Sequence, residues 1–359
     1  MAQPPHSVIH MRSVPDALEW QATHAEEAGA ACTARIIRAL LPAMGTDTAT
    51  ARAIAGWQGL ALEDAMPLRI TAGLHFLALS GRNPQLPEVY AGLMTDQTDI
   101  DSLVRDMFIQ FDDLLLPWLD HPPQTNEAGR SASIMAALIW LSSRIGSQFA
   151  LYEIGASAGV NTMMDRYHYN LGGVEQGPDD SPMQIMPEWR GLKPPDDRVK
   201  IVSIKGCDRS PVDLTDPDAA LRLKSYVWPE MRERMARIDA ATRLARIHPP
   251  DISCCDAASW VPSILTEPQQ SGMARVLFHS IVWQYIPEAG RQTIHDAMMQ
   301  AGKKASPQAP LAWVMLETNR ETFKHELRVR YWPGPDEWIM LAHAHPHGAW
   351  VKWSPDNPL

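Results

Sequence analysis

A glycine-rich turn near the middle of the chain is the part of the sequence best suited to chemistry. The apolar run Phe149 to Tyr152 predicts a short strand, and the turn Gly155-Ala156-Ser157-Ala158-Gly159 follows it closely. Small residues let the backbone approach a ligand, and free N–H groups at the start of a following helix would face that ligand. The turn is therefore predicted to hold a ligand against its main chain.

Two further interpretations of the turn remain open. G-x-S-x-G is also the nucleophile elbow of hydrolases, with Ser157 as the nucleophile. Such an enzyme needs an acid and then a histidine, and the chain offers Asp256 followed by His279, His343, His345 or His347. This interpretation ranks second, because about 145 residues of helical pattern precede the turn where a hydrolase builds several strands. In the third interpretation, the small residues serve only to pack the strand on the helix.

Acidic residues end the next two predicted strands. Asp208 follows a strand that begins at Val199, and Asp256 follows the short strand from Asp251 to Cys255. In an open parallel sheet, an acid at the end of the second strand accepts hydrogen bonds from ribose hydroxyls. Asp256 and the adjoining Ala257 are suitably placed for an adenine amino group. Either acid would equally serve as a turn former or helix cap.

The elements around the turn predict an α/β fold. Helical spacing runs from about residue 15 to residue 146, and short strands alternate with helices after it. Residues 326–332 and 337–343 alternate around a Pro-Gly-Pro-Asp turn and predict an antiparallel hairpin. We expect a Rossmann-like, doubly wound, mostly parallel sheet with a C-terminal antiparallel hairpin, and an N-terminal all-α cap. The predicted domains are 1–146 and 147–359, with an irregular insertion at about 170–198.

Polar residues ahead of and behind the turn are candidates for the same site. Asn126 predicts an N-cap, with Glu127 in the first helical turn and Arg130 one turn further on. This helix leads into the glycine strand, so Asn126, Glu127 and Arg130 are expected to reach a ligand. Tyr167 follows the turn and is a further pocket-lining candidate. His343, His345 and His347 resemble a metal tract, but a solvated histidine turn is the stronger interpretation, and no metal is predicted.

Composition restricts the class of partner. The chain has 359 residues and a formal net charge of −10, which disfavours nucleic acid. No apolar stretch reaches the roughly 20 residues that span a bilayer, and the N-terminus lacks the pattern of a secretory signal. Four cysteines without a disulfide framework favour a reducing compartment. We expect a cytoplasmic protein with a small-molecule substrate and no nucleic-acid or membrane partner; the oligomeric state is open.

The three strand ends resemble the cofactor motifs of class I S-adenosylmethionine-dependent methyltransferases. The resemblance rests on Glu153-x-Gly155-x-Ser157-x-Gly159, Gly206-x-Asp208-x-Ser210-Pro211 and Asp256-Ala257. It implies that the turn, including Glu153 and Ala156, holds the methionine part of S-adenosylmethionine. It places Asp208 at the ribose and Asp256 with Ala257 at the adenine. By motif position His279 is the base for a hydroxyl acceptor, with Glu127 and Tyr285 as further candidates.

Over its whole length the chain also resembles a bacterial family known as domain of unknown function 2332. The segments that carry this resemblance are Gln124-Thr125-Asn126-Glu127-x-x-Arg130-Ser131, Gly155-Ala156-Ser157-Ala158-Gly159-x-Asn161, Asp165-Arg166-Tyr167, Ser210-Pro211-x-Asp213 and Trp228-Pro229. The resemblance supports the fold rather than a reaction. The expected function is therefore that of an S-adenosylmethionine-dependent methyltransferase-like protein acting on an unidentified small molecule. The alternatives are a serine hydrolase using Ser157 and a non-catalytic protein that binds an adenosyl ligand.

Overall fold

The computed structural model describes residues 13–355 except residues 60, 63, 125 and 336. It divides the chain into two compact units. The helical unit comprises Met1–Thr125 and Asp216–Asp239, and the sheet unit comprises Asn126–Thr215 and Ala240–Leu359. This division differs from the predicted boundary at residue 146. The N-terminal residues that lack a signal pattern, and Asp336 of the predicted hairpin turn, lie outside the described residues.

Helices account for most of the first third of the chain. The described α-helices are α1 (Val14–Glu27), α2 (Ala31–Ala43), α3 (Ala49–Ala55), α4 (Met66–Leu79), α5 (Leu86–Tyr90), α6 (Gln97–Gln110), α7 (Asp112–Leu115), α8 (Ser131–Ile145), α9 (Pro217–Ser225), α10 (Arg232–Ile247), α11 (Ala257–Thr266) and α12 (Glu288–Gly302). Side chains cap the starts of several, as when Thr48 accepts from the N–H of Ala51 before α3. The helices of the helical unit share one apolar core that includes Leu18, Ile37 and Phe108.

The strands belong to the sheet unit. They are β1 (Gln148–Ile154), β2 (His168–Leu171), β3 (Val174–Gln176), β4 (Gln184–Ile185), β5 (Glu188–Gly191), β6 (Lys200–Asp208), β7 (Ile252–Cys254), β8 (Ala274–Ser280), β9 (Leu311–Thr318), β10 (His325–Trp332), β11 (Ile339–Ala344) and β12 (Trp350–Trp353). Nine of them form one sheet in the order β5-β12-β11-β10-β9-β8-β1-β6-β7, and β3-β2-β4 form a small second sheet.

The large sheet is mostly parallel, as the sequence predicts. Strands β7, β6, β1, β8 and β9 pair in parallel, so their carboxyl ends lie at one edge. The predicted hairpin is present as β10 and β11, and it extends into an antiparallel run from β9 to β12. Within the predicted irregular insertion, β5 pairs in parallel with β12 and so completes the far side of the sheet.

Helices cover both faces of this sheet. Successive side chains of a strand point to opposite faces. In β10, Tyr331 makes an edge contact with Trp140 of α8 at 5.9 Å between ring centroids, whereas the neighbouring Trp332 fills the space beside Gly302 of α12. A Cβ at residue 302 would lie 2.5 Å from the nearest atom of the Trp332 ring, so glycine is required there. Because α8 packs on the sheet, the sheet unit begins before residue 146 rather than after it.

No membrane span is found in the part of the chain that the structure describes. Each helix there is too short or too polar to traverse a bilayer.

Candidate ligand site at the glycine turn

The turn after β1 contains three residues in the left-handed region of backbone conformation. The φ angles are +70° at Gly155, +52° at Ser157 and +70° at Gly159. A non-glycine residue at positive φ is uncommon, and such strain is concentrated at functional sites. The segment after the turn forms a 3-10 helix over Asn161–Arg166 and not the predicted α-helix. Only a weak helix dipole is therefore available to an anionic ligand.

Side chains fill the space beside both glycines. A Cβ at residue 155 would lie 2.8 Å from the Cβ of Val282, and closer to its Cγ2. A Cβ at residue 159 would lie 2.7 Å from the Cδ1 of Ile252 and would also meet Pro250. Packing within the protein therefore accounts for these two glycines, as the third interpretation of the motif expects. Ala156 is buried, and its N–H donates to the carbonyl of Cys207 at 3.0 Å.

Asp208 is joined directly to the turn. Its Oδ2 accepts from the Ser157 N–H at 2.8 Å, and its Oδ1 accepts from the Ser210 N–H at 2.8 Å. The long insertion before β6 therefore does not disturb the placement of this acid beside the turn. Asp256 lies two residues after the end of the adjacent strand β7 and is exposed. Its Oδ1 accepts from the Ala258 N–H at 2.8 Å, so it caps α11, in which Ala257 is the first residue.

Three buried polar atoms around the turn have no hydrogen-bond partner among the described residues. They are Oε2 of Glu153, Oγ of Ser157 and Oδ1 of Asn161, and we call them the acceptor cluster. Glu153 and Asn161 are only 1% and 2% exposed. The Asn161 Nδ2 donates to Glu153 Oε1 at 3.1 Å, which fixes its amide with Oδ1 as the remaining acceptor. Unpartnered buried polar atoms are costly, so a cluster of them indicates a ligand site.

Burial changes the charge state of Glu153. Desolvation raises the pKa of Glu153 to about 8, while the hydrogen bond from Asn161 and the charge of Arg130 act in the opposite direction. Glu153 is thus largely protonated at neutral pH. The sequence predicted no role for Asn161 in the site, although Asn161 lies two residues after the turn and belongs to a segment that carries the family resemblance.

The predicted substrate-binding residues form a buried frame for the turn. The Val160 N–H donates to Asn126 Oδ1 at 2.9 Å, and the Tyr167 hydroxyl donates to the Val160 carbonyl. Arg130 Nε donates to the carbonyl of Pro346 at 2.8 Å. Glu127 accepts from the Gly129 N–H at 3.0 Å and is 3% exposed. The bonds of Asn126 and Tyr167 fix the backbone directly after the turn, whereas those of Arg130 and Glu127 fix the backbone at Pro346 and Gly129.

His279 does not lie ready to act as a base. Its Nδ1 lies 2.7 Å from Glu317 Oε1, and its Nε2 accepts from the indole N–H of Trp313 at 3.1 Å. An indole only donates, so Nε2 is the acceptor and Nδ1 carries the proton. The ring is fully buried with both nitrogens bonded. Tyr285 is 73% exposed in the 3-10 turn Trp283–Tyr285. Of the base candidates, His279 and Glu127 are buried and only Tyr285 is exposed.

Among the described residues, the histidines form neither a hydrogen bond to Ser157 nor a group of metal ligands. Ser157 Oγ makes no hydrogen bond to any histidine among the described residues. His343 lies in β11 opposite Lys352, and His345 Nδ1 accepts from the His347 N–H at 3.1 Å. Within the described ranges, no three histidine, cysteine or carboxylate side chains are grouped as metal ligands.

The fold and site define a mixed α/β protein with a large, mostly parallel sheet and a polar site at its carboxyl edge. A family model described as "Uncharacterized protein conserved in bacteria (DUF2332)" matches residues 15–353. The chain therefore belongs to this bacterial family, as the sequence resemblance indicates. No curated protein and no solved structure matches the chain.

Proposed function

We propose that the sheet unit binds S-adenosylmethionine at the glycine turn and acts as a methyltransferase-like protein on a small molecule. The acceptor cluster carries this proposal. Once Glu153 is ionised, its Oε2 and Oδ1 of Asn161 only accept, and the Ser157 hydroxyl can accept as well as donate, so the cluster favours a ligand group with several N–H donors. The ammonium of the methionine end has three N–H donors and a positive charge, so it complements all three atoms.

The same chemistry argues against other ligands of this type of sheet. NAD and ATP carry phosphates rather than an ammonium. Phosphates would be repelled by Asp208 and by an ionised Glu153, and the 3-10 helix after the turn offers little compensating dipole. The acceptor cluster therefore favours an amino-acid-bearing adenosyl ligand over a dinucleotide or nucleotide.

The strand order supports the same location for the ligand. The parallel strands run β7-β6-β1-β8-β9, so the chain moves outward from β1 first on one side and then on the other. This is the 3-2-1-4-5 order of doubly wound sheets, which bind ligands outside the carboxyl ends at the point of reversal. Asp208 remains suited to the ribose, because each carboxylate oxygen can accept more than the one N–H bond it has here. Asp256 caps α11 through Oδ1 and retains Oδ2 for an adenine amino group.

Catalysis in this proposal depends on positioning. The methyl group of a sulfonium is already activated, and its in-line displacement mainly requires that the acceptor be held at the correct distance and angle. No base is assigned, because both nitrogens of His279 are engaged in the sheet core. His279 instead positions Glu317, because its Nδ1–H donates a hydrogen bond to Glu317 Oε1.

Isothermal titration calorimetry tests the proposal with S-adenosylmethionine, S-adenosylhomocysteine, NAD and ATP. We expect only the first two to bind. Glu153→Gln and Asn161→Ala should each weaken their binding about tenfold, the cost of one charge-assisted hydrogen bond. Methylthioadenosine, which lacks the amino-acid end, serves as the matched ligand, and its affinity should not change in either variant. Binding of NAD or ATP in preference, or of none of the four, would refute the proposal.

The pH dependence of binding provides a second test. Below pH 8 the proton on Glu153 must leave before the carboxylate can pair with an ammonium, so affinity should rise by about 50-fold in total between pH 6 and pH 8. The rise should be absent in Glu153→Gln. Methylthioadenosine binding should be independent of pH over the same range.

The hydrolase alternative has one observation in its favour, the strained φ of +52° at Ser157. Ser157→Gly separates the two functions, because glycine adopts this conformation without strain. Binding of S-adenosylhomocysteine should weaken about tenfold, the cost of one lost hydrogen bond, but remain measurable, whereas the activity of a serine hydrolase on an ester would be lost. A purely binding protein would retain the ligand and transfer no methyl group to any acceptor.

A further inference from the structure

The segment that follows β8 lies against the glycine turn. This segment, Ile281 to Trp283, is called the β8 loop below. The Val282 side chain occupies the space next to the Cα of Gly155, where a Cβ would lie 2.8 Å from the Cβ of Val282. β8 pairs directly with β1, so this space lies between the carboxyl ends of the two strands where the proposed ligand would enter. A side chain therefore fills part of the proposed site.

The β8 loop has a strained backbone. Ile281 has a φ of +52°, and a β-branched residue in the left-handed region is a genuine outlier. Its N–H donates to the carbonyl of Leu316 at 3.0 Å, so strand pairing continues up to the strained residue. Strain of this kind persists only where surrounding contacts impose it, and it is often part of a switch.

A single carboxylate oxygen imposes this conformation. Glu317 Oε1 accepts from the Val282 N–H at 3.1 Å and from the Trp283 N–H at 3.3 Å. The same oxygen lies 2.7 Å from Nδ1 of His279. The Trp283 ring stacks on His279 with centroids 5.0 Å apart and planes 15° from parallel. Glu317 and His279 thus hold Val282 over the turn.

We propose that Val282 is a gate to the ligand site, held closed by Glu317 and opened when an adenosyl ligand binds. On opening, the Val282 side chain moves away from Gly155, and the Val282 N–H is released from Glu317. Ile281 then leaves the left-handed conformation. Because the closed state is strained, opening costs less free energy than the loss of the two hydrogen bonds alone would require. This inference rests on the proposed function, because the gate admits the ligand proposed there.

Two neighbouring substitutions should change affinity in opposite directions. Val282→Ala removes the side chain that fills the site, so S-adenosylhomocysteine should bind at least fivefold more tightly. Ile281→Asn should weaken binding about fivefold, because asparagine tolerates the left-handed region and stabilises the closed state. Val351→Ala is the matched control, since this buried valine lies in β12, five strands away from β1 in the sheet, and its loss should leave affinity unchanged.

Hydrogen exchange reports the motion itself. Ligands usually slow amide exchange, but the N–H groups of Val282 and Trp283 should exchange faster when S-adenosylhomocysteine is bound. Glu317→Ala should produce the same fast exchange without ligand. Melting temperatures of all variants identify any that fail to fold, and the exchange experiment on the wild-type protein needs no variant.

The outcomes separate the gate from the proposed function. If the wild-type protein and Val282→Ala bind S-adenosylhomocysteine equally, and the two amides become protected, the gate is refuted and the binding function stands. If both proteins bind the ligand, Val282→Ala at least fivefold more tightly, and the two amides exchange faster with ligand, both are supported. If neither protein binds S-adenosylmethionine or S-adenosylhomocysteine, the proposed function fails and the gate fails with it.

Discussion

Replacement of Glu153 by Gln should make the sheet unit markedly less sensitive to pH. The folded protein raises the pKa of Glu153 to about 8 from an ordinary value of 4.5, mainly by burial. The folded state therefore prefers the neutral carboxyl. Its stabilising contribution is complete below pH 4.5, declines as the pH rises, and is lost above pH 8. Glutamine mimics the neutral carboxyl and does not titrate.

The magnitude follows from the two pKa values. One pKa unit corresponds to about 1.4 kcal/mol, so the difference of about 3.5 units corresponds to about 5 kcal/mol over the full range. Between pH 5 and pH 8 the free energy of unfolding of the wild-type protein should fall by about 3.5 kcal/mol relative to that of Glu153→Gln. Stabilities of single domains are typically about 5–15 kcal/mol, so this change is readily measured.

Urea unfolding at pH 5, 6, 7 and 8 measures this difference. The relevant transition is the one in which the β1 amides lose protection in pulsed hydrogen exchange, because the two units need not unfold together. Glu321→Gln, which removes an exposed carboxylate from the loop after β9, controls for the change in net charge. If the wild-type and Glu153→Gln curves run parallel with pH, the buried neutral carboxyl is not present, and the charge argument for the acceptor cluster fails.

Further predictions concern a glycine and two histidines. Gly155→Ala should destabilise the protein by several kcal/mol, because it adds a clash with Val282 to the strain of a positive φ. Burial lowers the pKa of His75 to about 4. The stability that its neutral ring contributes, complete above pH 6.5, should therefore be lost as the pH falls to 4, and its NMR titration should be centred near 4. Nitrogen NMR of His279 should show the Nδ1–H tautomer, because an indole N–H occupies Nε2.

Each of these has its own control. Gly146→Ala shares the positive φ, at +90°, but no described atom would lie within 4 Å of its Cβ, so it should cost only about 1 kcal/mol. Equal melting temperatures for the Gly155 and Gly146 variants would contradict the packing argument. A His75 titration near 6.5 would show that the ring is solvated. For His279, a dominant Nε2–H tautomer in the wild-type protein would contradict the bond from Trp313, and Trp313→Phe should shift the Nε2 resonance while Glu317 keeps the proton on Nδ1.

The sequence predicted the elements that depend on local patterns. The apolar run before Gly155, the glycines themselves and the acid after β6 are contiguous signals, and they produced a correct strand, turn and sheet edge. The pairing of β5 with β12 joins residues about 160 positions apart, and no local pattern encodes it. Nor does any local pattern show that residues 216–239 pack with the helical unit, because an amphipathic helix can pack against any apolar core.

The site was predictable in position but not in detail. Motif spacing placed Asp208 beside the turn, and the structure does the same through the Ser157 N–H. Motif spacing could not show that Trp313, 34 residues further along the chain, would donate a hydrogen bond to Nε2 of His279. That contact depends on the pairing of β8 with β9. Nor could it show that Val282 would fill the space at Gly155. The acceptor role of Asn161 depends on how deeply β1 is buried, which composition does not reveal.

The divided helical unit constrains the order in which the chain can mature during synthesis. Glu230 accepts from the N–H and the hydroxyl of Thr33, at 2.8 and 2.7 Å, and His75 Nδ1 lies 3.0 Å from the Ser225 carbonyl. These bonds cannot form until residue 230, about two thirds of the way along the chain, has left the ribosome. By then the sheet unit has emerged only as far as β6, so the helical unit must wait for part of the sheet unit to be made but can still be completed before it. Expression of residues 1–125 alone should yield a helical fragment that melts without cooperativity.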